Sequence, residues 1–253
     1  MRPSILPNLL QAAQRNADRG FANAALFEVG QQYRDDTPEG EYLVAAGLRF
    51  DRTGPKRWDD PGRPVDALLA KADALAALSA AGLLLDAVQV TANPPDWYHP
   101  GRAGALRLGG KVLGYFGELH PGMLKEMDMS GTAVGFEVLL DHLPLPRAKG
   151  RARPLLKLSP FQPVERDFAF VVDAAISAEA VLRAARGVDK RLISEVRLFD
   201  VYTGAGVGEG KKSLAITVVL QPEEATLTDE ALEAFSQKLV AAVEKATSGS
   251  LRR

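Results

Sequence analysis

Cysteine is absent from all 253 residues, which excludes a disulfide framework and any zinc site built on thiolates. That absence fits a reducing cytoplasm. Histidine is almost as scarce, and His99, His120 and His142 are too far apart in sequence for two of them to share one helix as close ligands. Each therefore reads as structural and not as a metal ligand. No stretch approaches the roughly 18 consecutive apolar residues of a membrane span. The start, Met1-Arg2-Pro3-Ser4-Ile5-Leu6-Pro7, carries one basic residue with no long apolar run behind it, so it does not read as a secretory signal. The composition points to a soluble, cytoplasmic chain with no membrane partner.

An excess of charge of either sign is also missing. The chain has 31 Lys and Arg against 32 Asp and Glu, a net charge of -1, which argues against coating nucleic acid by bulk electrostatics. The average conceals a division. Residues 1–143 hold 14 basic against 18 acidic side chains and residues 144–253 hold 17 against 14, so the two parts carry -4 and +3. A local basic face in the second part is consistent with these counts.

With 46% hydrophobic residues, the chain has ample material for one large or two ordinary cores. The run Pro144-Leu145-Pro146-Arg147-Ala148-Lys149-Gly150-Arg151-Ala152-Arg153-Pro154 joins three prolines and four basic residues without an acid. This is linker composition, read as a solvated connector or as a strap that contacts phosphate. It divides the chain into a module over 1–143, a linker over 144–157 and a second module over 158–253.

In the first module, Ser4 to Arg15 reads as a helix with Ser4 as its N-cap and Gly20 as a stop signal. Ala24 to Tyr33 and Glu41 to Phe50 read as an antiparallel pair. Val65 to Ala81 reads as a helix whose apolar residues Leu68, Leu69, Ala72, Leu75, Ala76 and Leu78 occupy several faces, predicting burial on more than one side. Short strands follow at 87–91, 105–108, 111–116 and 133–140, with Gly109-Gly110 as a hairpin turn.

The second module reads in a regular order: strand 167–172, helix 178–186, strand 193–202, strand 213–220, helix 228–246 and a short final strand 251–253. That βαββαβ order is the ferredoxin-like split βαβ arrangement. The fold class is therefore α+β. Two helices on one side leave the other side of an antiparallel sheet open, and open sheets of this type are used to stack RNA bases. Alternation assigns Phe168, Phe170 and Val172 to the core and Asp167, Ala169 and Val171 to the opposite face. Val196, Leu198, Asp200 and Tyr202 share a parity, with Tyr202 at the strand end as either a stacking platform or an ordinary packed tyrosine.

Three ordered segments, Ser159 to Asp173, Leu198-Phe199-Asp200-Val201-Tyr202-Thr203-Gly204 and Glu209-Gly210-Lys211-Lys212-Ser213-Leu214-Ala215, resemble the anticodon-binding domain at the end of the bacterial phenylalanyl-tRNA synthetase beta subunit. The resemblance continues upstream through Met1 to Leu10, Ala25 to Gly30, Asn93 with His99 to Gly104, and Gly114 to Pro121, which are similar to the catalytic-like module of the same family. Because that subunit is several times longer, the resemblance implies a fragment of its C-terminal third that begins inside a domain. It also implies an edge or groove left exposed by the missing sequence.

The resemblance implies a class II synthetase-like fold without chemistry for the first module, which would dock on a catalytic alpha subunit in a heterotetramer of two alpha and two beta chains. ATP and Mg would serve the whole enzyme and be held elsewhere. Tyr33-Arg34-Asp35 superficially matches one element of a class II active site, but no second arginine element follows it. The implied partners are the alpha subunit and tRNA-Phe, with no role for DNA. Carried over, the anticodon contacts fall on Ala169, which allows close approach, Tyr202, which stacks, and Ser213, which hydrogen-bonds. Arg166, Lys211 and Lys212 are the cations expected to approach phosphate, whereas Arg183, Arg186, Lys190 and Arg191 read as a solvated helix face. The loop Gly204-Ala205-Gly206-Val207-Gly208, with three glycines, departs from the family pattern. Two other readings stand beside this one: a stand-alone RNA-binding protein using the same sheet, and a small acylphosphatase-type hydrolase, which would need an arginine that the 204–210 loop lacks.

Overall fold

The computed structural model describes residues 1–21, 23–144, 155 and 158–252. Two compact units, Met1–Arg151 and Ala152–Arg253, divide inside the 144–157 segment. Most of the basic linker lies outside the described residues, as does Arg253 at the end of the expected last strand.

In the first unit, β1 (Ala24–Tyr33) and β2 (Glu41–Phe50) pair antiparallel along their full lengths, from Ala24 opposite Phe50 to Tyr33 opposite Glu41. With β3 (Gln89–Thr91), β4 (Tyr98–Leu108), β5 (Lys111–Leu119) and β6 (Ala133–Leu139) they form a six-stranded antiparallel sheet of order β1-β2-β6-β5-β4-β3. Gly109, at φ +60°, turns β4 into β5 where a side chain would be strained. The sheet is covered on both faces. Helix α1 (Leu6–Ala17) buries Leu6, Leu9, Leu10 and Ala13 against Val44, Ala46, Leu48 and Phe50. Helix α2 (Ala67–Ala80) packs on the other face with Val134, Val138, Leu113 and Phe116. The Phe136 ring lies directly over Gly47, where any Cβ would meet it at 2.3 Å. A shorter helix, α3 (Pro121–Glu126), follows β5.

Two expectations need correction. Ser4 does not cap α1: Ile5 holds that position with helical backbone angles and no side-chain cap, because Pro7 in the first turn removes one orphan N–H. The Ser4 hydroxyl instead accepts from the Leu6 amide and donates to Glu137. Nor is α2 buried on several sides. Ala70, Ala74 and Leu78, four residues apart, make a single buried stripe, while Leu68 is 72% exposed and Ala72 and Ala76 are exposed. Alanine and leucine on the outer face reflect helix propensity and not a second interface within this unit.

The second unit runs β7 (Val164–Asp173), α4 (Ala178–Arg186), β8 (Ile193–Tyr202), β9 (Lys211–Leu220), α5 (Asp229–Thr247) and β10 (Ser250–Leu251). Its sheet order, β10-β7-β9-β8, is that of the ferredoxin-like fold. Ser177 and Thr228 cap α4 and α5 by accepting from the amides of Ala180 and Ala231. Leu232, Phe235, Leu239 and Val243 make one stripe of α5, and with Val181 and Ala185 of α4 they bury Phe168, Phe170, Val172, Leu214, Ile216 and Val218. The phenylalanines thus take the core face, as alternation predicts.

Candidate nucleic-acid interface

Pairing register defines the face of the second sheet that carries no helix. Because residues directly opposite each other point to the same side, Ala169 opposite Ala215, Val171 opposite Ser213 and Asp167 opposite Thr217 all lie away from the phenylalanine core. The floor of this face is made of small groups. Ser213 is only 3% exposed and Ala215 9% exposed although α4 and α5 lie on the other side, so side chains of the face itself cover them.

Tyr202 reaches this face through an irregularity. Val196 pairs with Val218 and Leu198 with Ile216, on the core side, and simple alternation would carry Asp200 and Tyr202 there too. The register shifts between Leu198 and Asp200, leaving Phe199 as an extra, 58% exposed residue. Past this bulge Asp200 pairs with Ala215, Val201 with Leu214 and Tyr202 with Ser213, so the tyrosine changes sides. Its hydroxyl donates to the Ala205 carbonyl at 3.1 Å. The ring also packs so closely on Gly204 that a Cβ there would fall 2.4 Å from the hydroxyl oxygen.

Of the six residues expected at the site, Ala169, Tyr202, Ser213 and Lys211 share this face by register. Arg166, opposite Val218, and Lys212, opposite Val172, have the parity of the helix side. Lys212 moreover donates from Nζ to the Ala174 carbonyl at 2.8 Å, while Arg166 is exposed near the start of β7. Arg183 and Arg186 belong to α4 on the helix side, where Arg186 lies 3.7 Å from Glu179. Two cations on the open face were missing from the expected set. Arg197, opposite Thr217, pairs with Glu165 at 3.0 Å and Glu195 at 3.4 Å. Arg252 donates its amide to the Ala169 carbonyl and places its guanidinium carbon 5.4 Å from the centre of the Tyr202 ring. Arg252 could not be found from sequence because its approach to Tyr202 depends on β10 closing the sheet opposite β8.

The first unit carries a separate polar constellation. Glu137, 3% exposed on β6, accepts from Ser4 Oγ at 2.8 Å, Gln32 Nε2 at 3.1 Å, Trp97 Nε1 at 3.0 Å and Tyr98 Oη at 3.3 Å. Burial, and then the Glu137 charge, hold the Tyr98 hydroxyl well above its ordinary pKa of 10.0. Arg34 is stacked on Tyr42 with its guanidinium carbon 4.9 Å from the ring centre. The histidines are engaged with nearby backbone: Nδ1 of His99 and His120 accept from Gly101 and Gly122, and His142 lies 2.6 Å from the Val112 carbonyl. Among the described residues no helix is long and apolar enough to cross a membrane.

These features define a class: a two-unit chain in which a six-stranded antiparallel sheet with helices on both faces precedes a ferredoxin-fold unit with one bare face. Residues 1–140 match the family model described as the phenylalanyl tRNA synthetase beta chain CLM domain, and residues 159–252 match the ferredoxin-fold anticodon binding domain. The chain belongs to the phenylalanyl-tRNA synthetase beta chain family. It is 55% identical over 253 residues to the phenylalanine--tRNA ligase beta subunit of Paramagnetospirillum magneticum and 53% identical over 253 residues to that of Rhodospirillum rubrum. The Brucella suis beta subunit is 55% identical over 258 residues. All of this chain is covered in each comparison but only 32% of each relative, so the chain spans about a third of their length. Among solved structures, a pyrrolysyl tRNA synthetase from Desulfitobacterium hafniense aligns with TM-score 0.41 and 19% identity, over 56% of this chain and 48% of that one.

Proposed function

We propose that the second unit binds the anticodon loop of tRNA-Phe on its helix-free face, and that the first unit docks on the synthetase alpha subunit, which charges the tRNA. The observation that carries the first half is the grouping of Tyr202, Ser213 and Ala169 on one bare sheet face. An aromatic ring stands there beside a floor low enough for a flat base to approach. Tyr202 stacks a base, the Ser213 hydroxyl hydrogen-bonds it, and Lys211 approaches the backbone phosphates. Arg166 and Lys212 lie on the other side of the sheet and would serve only RNA that wraps its edge.

The docking half rests on the family membership and on the apolar edge of β1, where Phe27 is 79% and Val29 53% exposed. The assembly is a cytoplasmic heterotetramer. ATP and Mg act in its catalytic chain. The first unit's own residues do not fit those groups: Arg34 is committed to Tyr42, and the buried Glu137 carboxylate is surrounded by neutral donors that leave it no metal-facing side. Its residues orient one another and take no part in chemistry.

Titration of the chain with tRNA-Phe at low salt tests the RNA half. Tyr202→Ala should weaken binding by roughly tenfold, the loss of one base stack, and affinity should fall steeply as salt is added. Unchanged affinity of the variant would remove the stacking role. Co-purification with the alpha subunit, and its loss on Phe27→Asp, checks the docking half.

A further inference from the structure

Trp58 stands 98% exposed in the loop that joins β2 to α2, although the loop around it is tied down. The Thr53 amide donates to the Arg63 carbonyl at 2.9 Å, the Arg63 amide donates to Thr53 Oγ1 at 3.2 Å, and the Arg52 side chain donates to the Gly62 carbonyl. The Arg57 amide donates to the Asp60 carbonyl at 2.7 Å, which closes the tip around Trp58. Pro55, Pro61 and Pro64 stiffen the same stretch. A large ring held on a pre-ordered arm costs little further entropy to bury in a partner, and rings of this kind dominate interface energetics. The flanking charges fix the kind of partner. Lys56 and Arg57 precede Trp58 while Asp59 and Asp60 follow it, so a run of phosphates brought to the ring would meet carboxylates. The tip suits a protein and not RNA.

The same unit holds a socket of matching character. A cavity of about 240 Å³ between α2 and β1 is lined by Ala25, Phe27, Ala76 and Phe136, with Arg49 and Asp73 at its wall. That is the space of about eight waters at about 30 Å³ each, enough for one indole. Arg49 and Asp73 bind each other through hydrogen bonds of 2.6 and 3.0 Å. The socket thus presents a positive and a negative group side by side, as the tip does. The loop leaves β2 after Phe50 and returns at α2, so arm and socket are built on the same two elements. We propose that the occupant of the socket is Trp58 of a second copy of this chain, with Lys56 and Arg57 beside Asp73 and with Asp59 and Asp60 beside Arg49. A two-fold axis lets each copy give one arm and receive the other, which closes the assembly as a dimer. The proposal goes beyond the docking reading and does not depend on it. Phe27 lines the socket and also belongs to the edge assigned above to the alpha subunit, so the second copy and the alpha subunit exclude each other there.

In sedimentation equilibrium without any alpha subunit, the whole 253-residue chain should pass from 27.2 kDa to twice that mass as its concentration rises. Dilution should shift the tryptophan emission to the red as Trp58 returns to water, Trp97 being the other tryptophan. Trp58→Ser, at a position too exposed to matter for folding, should weaken the dimer about thirtyfold for each of its two contacts and about a thousandfold in all. Ala76→Arg, which fills the socket from an exposed position of α2, should do the same. An equal mixture of the two variants keeps one intact arm and one intact socket, so it should pair about thirtyfold more weakly than the parent and more tightly than either variant alone. A parent chain that stays monomeric at every concentration overturns the proposal, as does a dimer that Trp58→Ser leaves intact or a mixture no tighter than its parts. A hairpin RNA copying the anticodon stem and loop of tRNA-Phe should bind Trp58→Ser and the parent alike. A selective loss makes Trp58 an RNA contact and overturns the proposal too. If the parent is monomeric and Trp58→Ser instead releases the alpha subunit, the arm belongs to that partner: the second-copy proposal falls and the docking reading stands.

Discussion

Glu137 illustrates what one buried residue does for this fold. Its carboxylate gathers donors from the segment before α1, from β1 and from the start of β4, so elements distant in sequence are fixed to the central strand β6. A carboxylate in such a place is held by hydrogen bonds, and removing it leaves several buried donors unpaired at about 1 to 3 kcal/mol each. Glu137→Ala should therefore lower the stability of the first unit by about 3 kcal/mol or more, and Glu137→Gln, which keeps one acceptor oxygen, by less. Urea unfolding followed by Trp97 fluorescence reads this directly, since the indole N–H is one of the donors. A loss under about 1 kcal/mol for the alanine variant would mean that water replaces the carboxylate. None of this network was visible in the sequence, where Glu137 is one acid between Phe136 and Val138. Its partners lie up to 133 residues away.

At the scale of elements, the bulge in β8 decides the candidate site. Sequence alternation gives Val196, Leu198, Asp200 and Tyr202 one parity, and only the extra residue Phe199 moves the last two to the open face. Deleting Phe199 should remove the bulge and leave Asp200 opposite Ala215 and Tyr202 opposite Ser213, because the residue taken out is the unpaired one, so the ring stays on the open face. We expect RNA affinity to stay far closer to the parent's than that of Tyr202→Ala, with the far-ultraviolet circular dichroism of the chain also close to the parent's. A loss as large as that of Tyr202→Ala would show that the bulge itself, and not only the side it gives Tyr202, is needed to bind RNA. By contrast, the extents of β1, β2, α4 and β8 were legible to the residue because caps, β-branched runs and turn residues mark their ends locally. Helix α2 was legible as a helix but not in its burial, because leucine and alanine occur on exposed helix faces for propensity alone.

The whole molecule consists of two units with separate cores, one clustered around α1, α2 and the six-stranded sheet and one around α4, α5 and the four-stranded sheet. A unit with its own core and capped helices should fold alone. Residues 158–253 expressed by themselves should unfold cooperatively in urea, with a slope of about 1 to 3 kcal/mol per molar. They should also bind the anticodon hairpin as tightly as the whole chain, because Ala169, Tyr202, Ser213, Lys211 and Arg252 all lie within them. A much weaker isolated unit would place part of the RNA site in the first unit or the linker.

The sequence by itself determined the α+β class, the division near residues 144–157, the βαββαβ order and the core role of Phe168 and Phe170, because each depends on composition or on periodicity within a short window. Its motif resemblance also reached the family. Tertiary structure alone decided that Arg166 and Lys212 face away from Tyr202, that Phe199 is bulged, that Glu137 collects four donors, and that Arg252 lies across the sheet on Tyr202. Each of these is a matter of register or of strand order, set by pairing between segments far apart in the chain, and no local pattern encodes which strand will be the neighbour.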